Sequence, residues 1–234
     1  PPAETWEFPV AAPGDLSGYV AVMTAGDDSV VVTVDVVTTE GTLRGAREIV
    51  VDSSAPALIP LDDLAAPPFG VRVRATAPIA ATLVATIPET DVEGGEGGTG
   101  DEPEETTTTT ADETTTTSVV VEEEFVRGLA GTIGVARPSS SWVLPVDSLP
   151  NASTTVWIMN ASADPVVVDL GPIGESYIAV LNQIEVPGES IIGVPVEVGI
   201  GVFGYLIEAG GPVSVAWELV GPQGVAITAG VPTG

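Results

Sequence analysis

Apolar residues alternate with polar or small ones along short stretches of this chain. Val30, Val32, Val34 and Val36 fall on one face of an extended segment, with Val31, Thr33, Asp35 and Val37 on the other. Val71, Val73 and Ala75 alternate with Arg72 and Arg74. Val194, Val196 and Val198 alternate with Pro195 and Glu197, and Phe203, Tyr205 and Ile207 share a face. A period of two is the mark of a half-buried strand. Turn-forming clusters separate these runs at intervals of roughly 8–12 residues, the spacing expected of a sandwich or barrel. They include Gly26-Asp27-Asp28, Glu40-Gly41, Asp52-Ser53-Ser54, Pro67-Pro68, Pro187-Gly188 and Gly210-Gly211-Pro212. Helical periodicity is not sustained anywhere; Asp62-Asp63-Leu64-Ala65-Ala66 has room for one helical turn.

The pattern occurs twice. Trp6-Glu7-Phe8-Pro9-Val10 recurs as Trp142-Val143-Leu144-Pro145-Val146, 136 residues later. The same offset carries Val20 to Val156, Met23 to Met159 and Val30-Val31-Val32 to Val166-Val167-Val168. After short deletions, Phe69-Gly70 aligns with Phe203-Gly204 and Pro78 with Pro212. Repetition of a Trp, a Met and several Pro and Gly in order points to an internal duplication. The expected fold is all-β: two tandem antiparallel β-sandwiches of immunoglobulin-like character, with Trp6 and Trp142 filling equivalent core sites.

Residues 89–118 break the alternation. They carry ten acidic and no basic residues, a Gly-rich stretch and two threonine runs, Thr106, Thr107, Thr108, Thr109, Thr110 and Thr114, Thr115, Thr116, Thr117. Such a composition cannot bury a core. Two placements compete. In one, the segment is a linker between sandwiches, and Ile79–Ile87 matches the Val213–Val220 strand. In the other, Val119–Pro138 matches Val213–Pro232 at a constant offset of 94, so the segment is a long loop inserted within the first sandwich. The second placement puts the domains at 1–138 and 139–234, with Pro138-Ser139-Ser140-Ser141 as hinge.

Composition narrows the chemistry. The 234 residues include no His and no Cys, and all six basic residues are Arg, against 33 Asp and Glu. Ser-His-Asp and Cys-His catalysis need a histidine base. Schiff bases and Walker phosphate loops need lysine. Zinc, iron–sulfur and haem sites normally use Cys or His. A net charge of −27 disfavours nucleic acid and anionic membrane surfaces as partners. No run of ~18 apolar residues provides a membrane span. The start at Pro1, without Met, reads as a processed product or an excised piece, which leaves open whether a signal or anchor stood upstream.

Carboxylates are the remaining catalytic candidates. Glycoside hydrolysis needs two of them about 5–10 Å apart, whereas Asp27-Asp28, Asp62-Asp63 and Glu122-Glu123-Glu124 read as solvated turns and strand surfaces. No cofactor and no catalytic residue is predicted. If a metal binds, oxygen-only ligation selects calcium, with Asp27, Asp28, Asp62 and Asp63 as candidate ligands, but no calcium-loop motif is present. Asn151-Ala152-Ser153 and Asn160-Ala161-Ser162 are glycosylation sequons, and the threonine runs are candidates for O-glycosylation. Arg72 and Arg74, and Arg44 and Arg47, read as partners of surface ion pairs. Trp157 and Trp217 are candidate outward aromatics for a glycan.

The duplicated W-x-[FL]-P-V start, the Val-rich strands and the closing Ala229-Gly230-Val231-Pro232 resemble a family of actinobacterial secreted proteins with tandem immunoglobulin-like modules and no known function. The resemblance implies a secreted or cell-surface location and brings no catalytic residues. The expected function is non-enzymatic: a structural or interaction protein whose partners are other surface proteins or its own copies, assembling through sandwich edges. The alternatives are a carbohydrate- or ligand-binding module and a carboxylate-based glycoside hydrolase.

Overall fold

The computed structural model describes residues 2–11, 16–86, 130–146, 151–174, 180–199, 201–222 and 224–233. These residues form two curled antiparallel sheets, with no helix among them. The first sheet contains β1 (Ala3–Phe8), β2 (Ser17–Thr24), β3 (Val30–Thr38), β4 (Gly41–Val51), β5 (Ala57–Pro60), β6 (Gly70–Thr86) and β7 (Ala130–Ile133). The second half contains β8 (Ser139–Pro145), β9 (Ser153–Asn160), β10 (Val166–Gly174), β11 (Leu181–Val186), β12 (Ser190–Val196), β13 (Val202–Gly221), β14 (Gly224–Ala229) and β15 (Val231–Pro232).

Each half is organised by one long strand that changes partners along its length. The first part of β6 lies between β3 and β1, and its second part between β2 and β7. The first part of β13 lies between β10 and β8, and its second part between β9 and β14. β4 extends the β3 side as β11 extends the β10 side, and β5 borders β2 as β12 borders β9. The pairing schemes therefore match for β1–β7 and β8–β14, and β15, which pairs with β8, has only the isolated Glu7–Val135 bridge as its counterpart. Alternation along the strands sends Val20, Val22, Val32, Val34, Val71 and Val73 into the first curl, and Val156, Ile158, Val168, Leu170 and Ile207 into the second. Burial of these side chains, roughly 1.5–3 kcal/mol each, is the main favourable contribution.

The two tryptophans hold matching places. Trp6 lies opposite Val73 and Trp142 opposite Ile207. Trp6 Nε1 donates to the Ile79 carbonyl at 2.9 Å, and Trp142 Nε1 donates to the Val213 carbonyl at 3.1 Å and the Ser139 carbonyl at 2.9 Å. Each indole thus fills a core site and satisfies its polar edge where the long strand turns from one set of partners to the other.

Several expectations change in detail. Ala80–Thr86 pairs with β2 as Ser214–Val220 pairs with β9, which is the register of the alternative alignment. Beyond the acidic segment, β7 returns to pair with β6, and Thr132 opposes Leu83 as Thr228 opposes Trp217. The spacing of those threonines is 96, not the 94 read from the sequence. A two-residue slip keeps every side chain on its own face, so alternation alone does not detect it. Ser139, Ser140 and Ser141, read as a hinge, are the first residues of β8. Phe203 does not share a face with Tyr205 and Ile207, because the β10–β13 register shifts between Ile173 and Gly174 and leaves Phe203 exposed. Residues 89–118, with Thr106–Thr110 and Thr114–Thr117, lie outside the described residues, as do Glu122, Glu123 and Glu124.

Candidate functional site

Among the described residues, two arginines and two buried carboxylates meet on the outer face of β1, β3 and β6. Inward Val71 and Val73 force Arg72 and Arg74 outward, and the same alternation turns Glu7 and Asp35 toward them. Arg72 opposes both Glu7 and Asp35 across the strands. Arg74 forms a two-pronged pair with Asp35, Nε to Oδ2 at 2.7 Å and Nη2 to Oδ1 at 2.8 Å. Asp35 Oδ1 also accepts the Gly45 N–H at 2.7 Å. Arg72 Nε donates to Glu7 Oε1 at 3.2 Å. Both carboxylates are buried, Glu7 at 3% and Asp35 at 2% exposure. These are not the solvated surface pairs that the sequence suggests.

The second half of the chain covers this face. Ser214 Oγ donates to Glu7 Oε2 at 2.5 Å, and Arg72 Nη2 donates to the Ala161 carbonyl at 2.8 Å. Thr42 Oγ1 donates to the Glu189 carbonyl at 2.8 Å, and Arg44 pairs with the Glu189 carboxylate. Met159 and Ile191 pack on Val37, and Ala216 and Ile227 join the first hydrophobic cluster. Burial pushes the Glu7 carboxyl above its usual range; the Ser214 hydroxyl and the Arg72 guanidinium pull it back only in part. Burial acts on Asp35 in the same sense, but the Arg74 pair, the Gly45 N–H and the nearby Arg72 charge outweigh it and hold its pKa below the ordinary value. The cluster works as an electrostatic lock between the halves, with its polar groups already matched to one another.

The other expected site residues are dispersed. Asp27 and Asp28 sit in the exposed turn after β2. Asp62 Oδ1 accepts the Gly18 N–H at 2.9 Å, and Asp63 pairs with Arg47 at 2.6 Å. Among the described residues no three acidic side chains converge in a way that could hold a metal ion. Asn151 is exposed at a turn with φ 60°. Asn160 is fully buried. Its amide donates to the Asp164, Val186 and Pro187 carbonyls, and its Oδ1 accepts from Ser162. That asparagine pins two loops and leaves no room for a glycan, a correction to its reading as a sequon. The outward placement of Trp217 is also corrected, whereas Trp157 keeps the outward parity opposite buried Val156 and Ile158. Trp157 is half-buried over Gly193 and donates to Glu218 Oε2 at 2.8 Å, while Trp217 lies in the second core.

A further feature is an apolar cleft of about 500 Å³ on the first half. Trp6, Met23, Pro56, Ala80, Thr82 and Ile133 are among its lining residues. Met23 is 53% and Ile133 68% exposed, and Leu58, opposite Ala21 on the same face, is 67% exposed. The sequence signal for this surface was present in Met23 and Leu58, apolar residues on the outward parity of β2 and β5. No family model and no curated protein matches the chain. One solved structure, described as the crystal structure of Thermotoga maritima 1070, aligns over 36% of this chain and 80% of its own, with 16% identity and a TM-score of 0.33. A likeness at that level carries no argument, so the functional reading rests on the surfaces themselves.

Proposed function

We propose that the chain consists of two copies of an immunoglobulin-like β-sandwich and serves as a non-enzymatic structural or interaction protein, secreted or held at a cell surface. The matching pairing schemes and the two equivalent indoles support descent from one duplicated unit. The actinobacterial family of tandem modules is the corresponding proposal for its kinship. The observation that carries the functional reading is the exposed apolar face of the first half, centred on Met23, Leu58 and Ile133. Contiguous apolar surface of this kind marks protein contact. The buried carboxylates are held in ion pairs between strands, and the cleft lining contains no charged side chain. Sedimentation velocity across a concentration series tests the reading. Association of the purified chain is the expected result. A strictly monomeric chain that turns over a glycoside or ester would overturn it.

A further inference from the structure

The junction between the halves also describes what the exposed faces are shaped to receive. At that junction, β9, β12 and β13 of the second half present Met159, Ile191, Ser214 and Ala216 to β1, β3 and β6 of the first half. Met159 packs on Val37 and lies beside Gly70, where an added Cβ would come within 3.2 Å of its sulfur. Ser214 meets Glu7, and Arg72 reaches the Ala161 carbonyl.

Strand register identifies the equivalents of these groups. Met23 opposes Ala80 as Met159 opposes Ser214, so Met23 and Ala80 hold those places on the first half. Val37 opposes Gly70 as Ile173 opposes Gly204, and Glu7 opposes Arg72 as Val143 opposes Leu206. The sockets match in backbone detail. A Cβ on Gly70 would meet the Phe8 carbonyl oxygen at 2.7 Å, and one on Gly204 would meet that of Leu144 at 2.5 Å. Each half therefore has a plug face carrying a methionine and a socket face carrying a glycine beside a β-branched residue. Inside the chain, the second plug fills the first socket. Among the described residues no socket covers the first plug (Met23, 53% exposed) and no plug seats on the second socket (Ile173, Gly204).

The leftover faces have changed together. The polar contact of Ser214 with Glu7 becomes Ala80 and Val143, both apolar. Arg72, which needs a carbonyl acceptor in the internal junction, becomes Leu206, which needs none. An apolar plug on the charged socket would bury Glu7 without its Ser214 donor, a costly mismatch. An apolar plug on Val143 and Leu206 has no such penalty, the acidic pair Asp169 and Glu208 lying farther along the same face. We infer that the plug face around Met23 of one copy seats on the socket face around Ile173 and Leu206 of a second copy, repeating the internal junction between molecules. This is a head-to-tail, heterologous contact, which propagates rather than closing on a twofold axis. The inference deepens the structural reading above and rests on it.

The test uses the full 234-residue chain and two exposed-position variants, Met23→Glu and Leu206→Glu, each checked for an unchanged fold by circular dichroism. Sedimentation velocity should show the wild-type chain growing with concentration, more so in high salt, which screens the charge of −27. Each variant alone should associate about thirtyfold or more weakly, because a carboxylate is trapped in the contact. A mixture of the two should stop at dimers, since Leu206→Glu keeps an intact plug and Met23→Glu an intact socket. The native chain has no cysteine, so Met23→Cys mixed with Ile173→Cys should give one disulfide-linked heterodimer under mild oxidation. Association that ignores both variants, or a mixture that forms no dimer, overturns the head-to-tail assignment while leaving the structural reading intact. Absence of association at any concentration overturns the self-contact itself.

Discussion

Met23 and Met159 occupy the same place in two matching strand schemes, yet one is 53% exposed and the other fully buried. The difference does not come from their own strands. Each lies on the outward parity of a strand whose inward residues, Val20 and Val22 or Val156 and Ile158, fill a core. It comes from what the rest of the chain lays on top. The socket of the first half covers Met159, and nothing among the described residues covers Met23. The residues around each methionine follow suit. Ser214 and Glu7 form a buried polar contact at the filled junction, whereas Ala80 and Val143 hold the corresponding places on the open faces. Two halves with matching strand schemes thus hold one pair of faces together within the chain and leave Met23 of the other pair uncovered among the described residues.

The comparison breaks most sharply at the charged lock. Arg72→Met should cost about 3–5 kcal/mol in denaturant unfolding, because it leaves Glu7 buried without its cation. Leu206→Met, at the equivalent position of the open socket, should change stability by under about 1.5 kcal/mol. Equal costs would mean that the two sockets do not differ as described. Next comes the methionine pair. Met159→Ala should destabilise by about 2–5 kcal/mol, and Met23→Ala by no more than about 0.5 kcal/mol in dilute protein. A large loss from Met23→Ala under dilution would show that the first plug face is covered within a single molecule. Ser214→Ala removes one donor from a buried carboxylate and should cost about 1–3 kcal/mol, against near neutrality for Ala80→Ser.

The smallest effects are in pH dependence, and the two buried carboxylates differ in sign. Glu7 binds its proton more tightly folded than unfolded. Its contribution to stability therefore falls as pH rises from the ordinary carboxyl value, about 4, toward its higher folded value. Asp35 is the reverse: its contribution is present above the unfolded value and is lost as pH falls through the lowered folded one. Unfolding free energies from pH 3 to 8, subtracted between wild type and Glu7→Gln, should give a component that declines with pH. The Asp35→Asn difference should give one that rises. A shared slope would contradict the assignment of burial as the dominant influence on Glu7.

Much of the architecture was legible in the alternating valines. Val32, Val34, Val71 and Val73 need one dry face whatever covers the other, and the recurrence of Trp6 as Trp142 marks the matching plugs beneath it. The register of β7 was less legible, because a shift of two residues preserves every inside and outside assignment. The role of Arg72 and Arg74 was read only halfway. Their outward parity follows from the pattern, but whether an outward face meets water or another sheet does not. Asn160 shows the same limit: the tripeptide that suggests a glycan acceptor belongs to a side chain wholly engaged with three carbonyls and Ser162.

The sequence by itself determined which residues face inward, that strands rather than helices bury them, and that histidine, cysteine and lysine chemistry is absent. These are local properties, set by a two-residue period and by composition. The tertiary structure alone decided which of two equivalent outer faces is covered, because that depends on how one curled sheet lies against the other. It turned Glu7 and Arg72 into a lock and left Met23 exposed, through contacts between residues as far apart as Glu7 and Ser214.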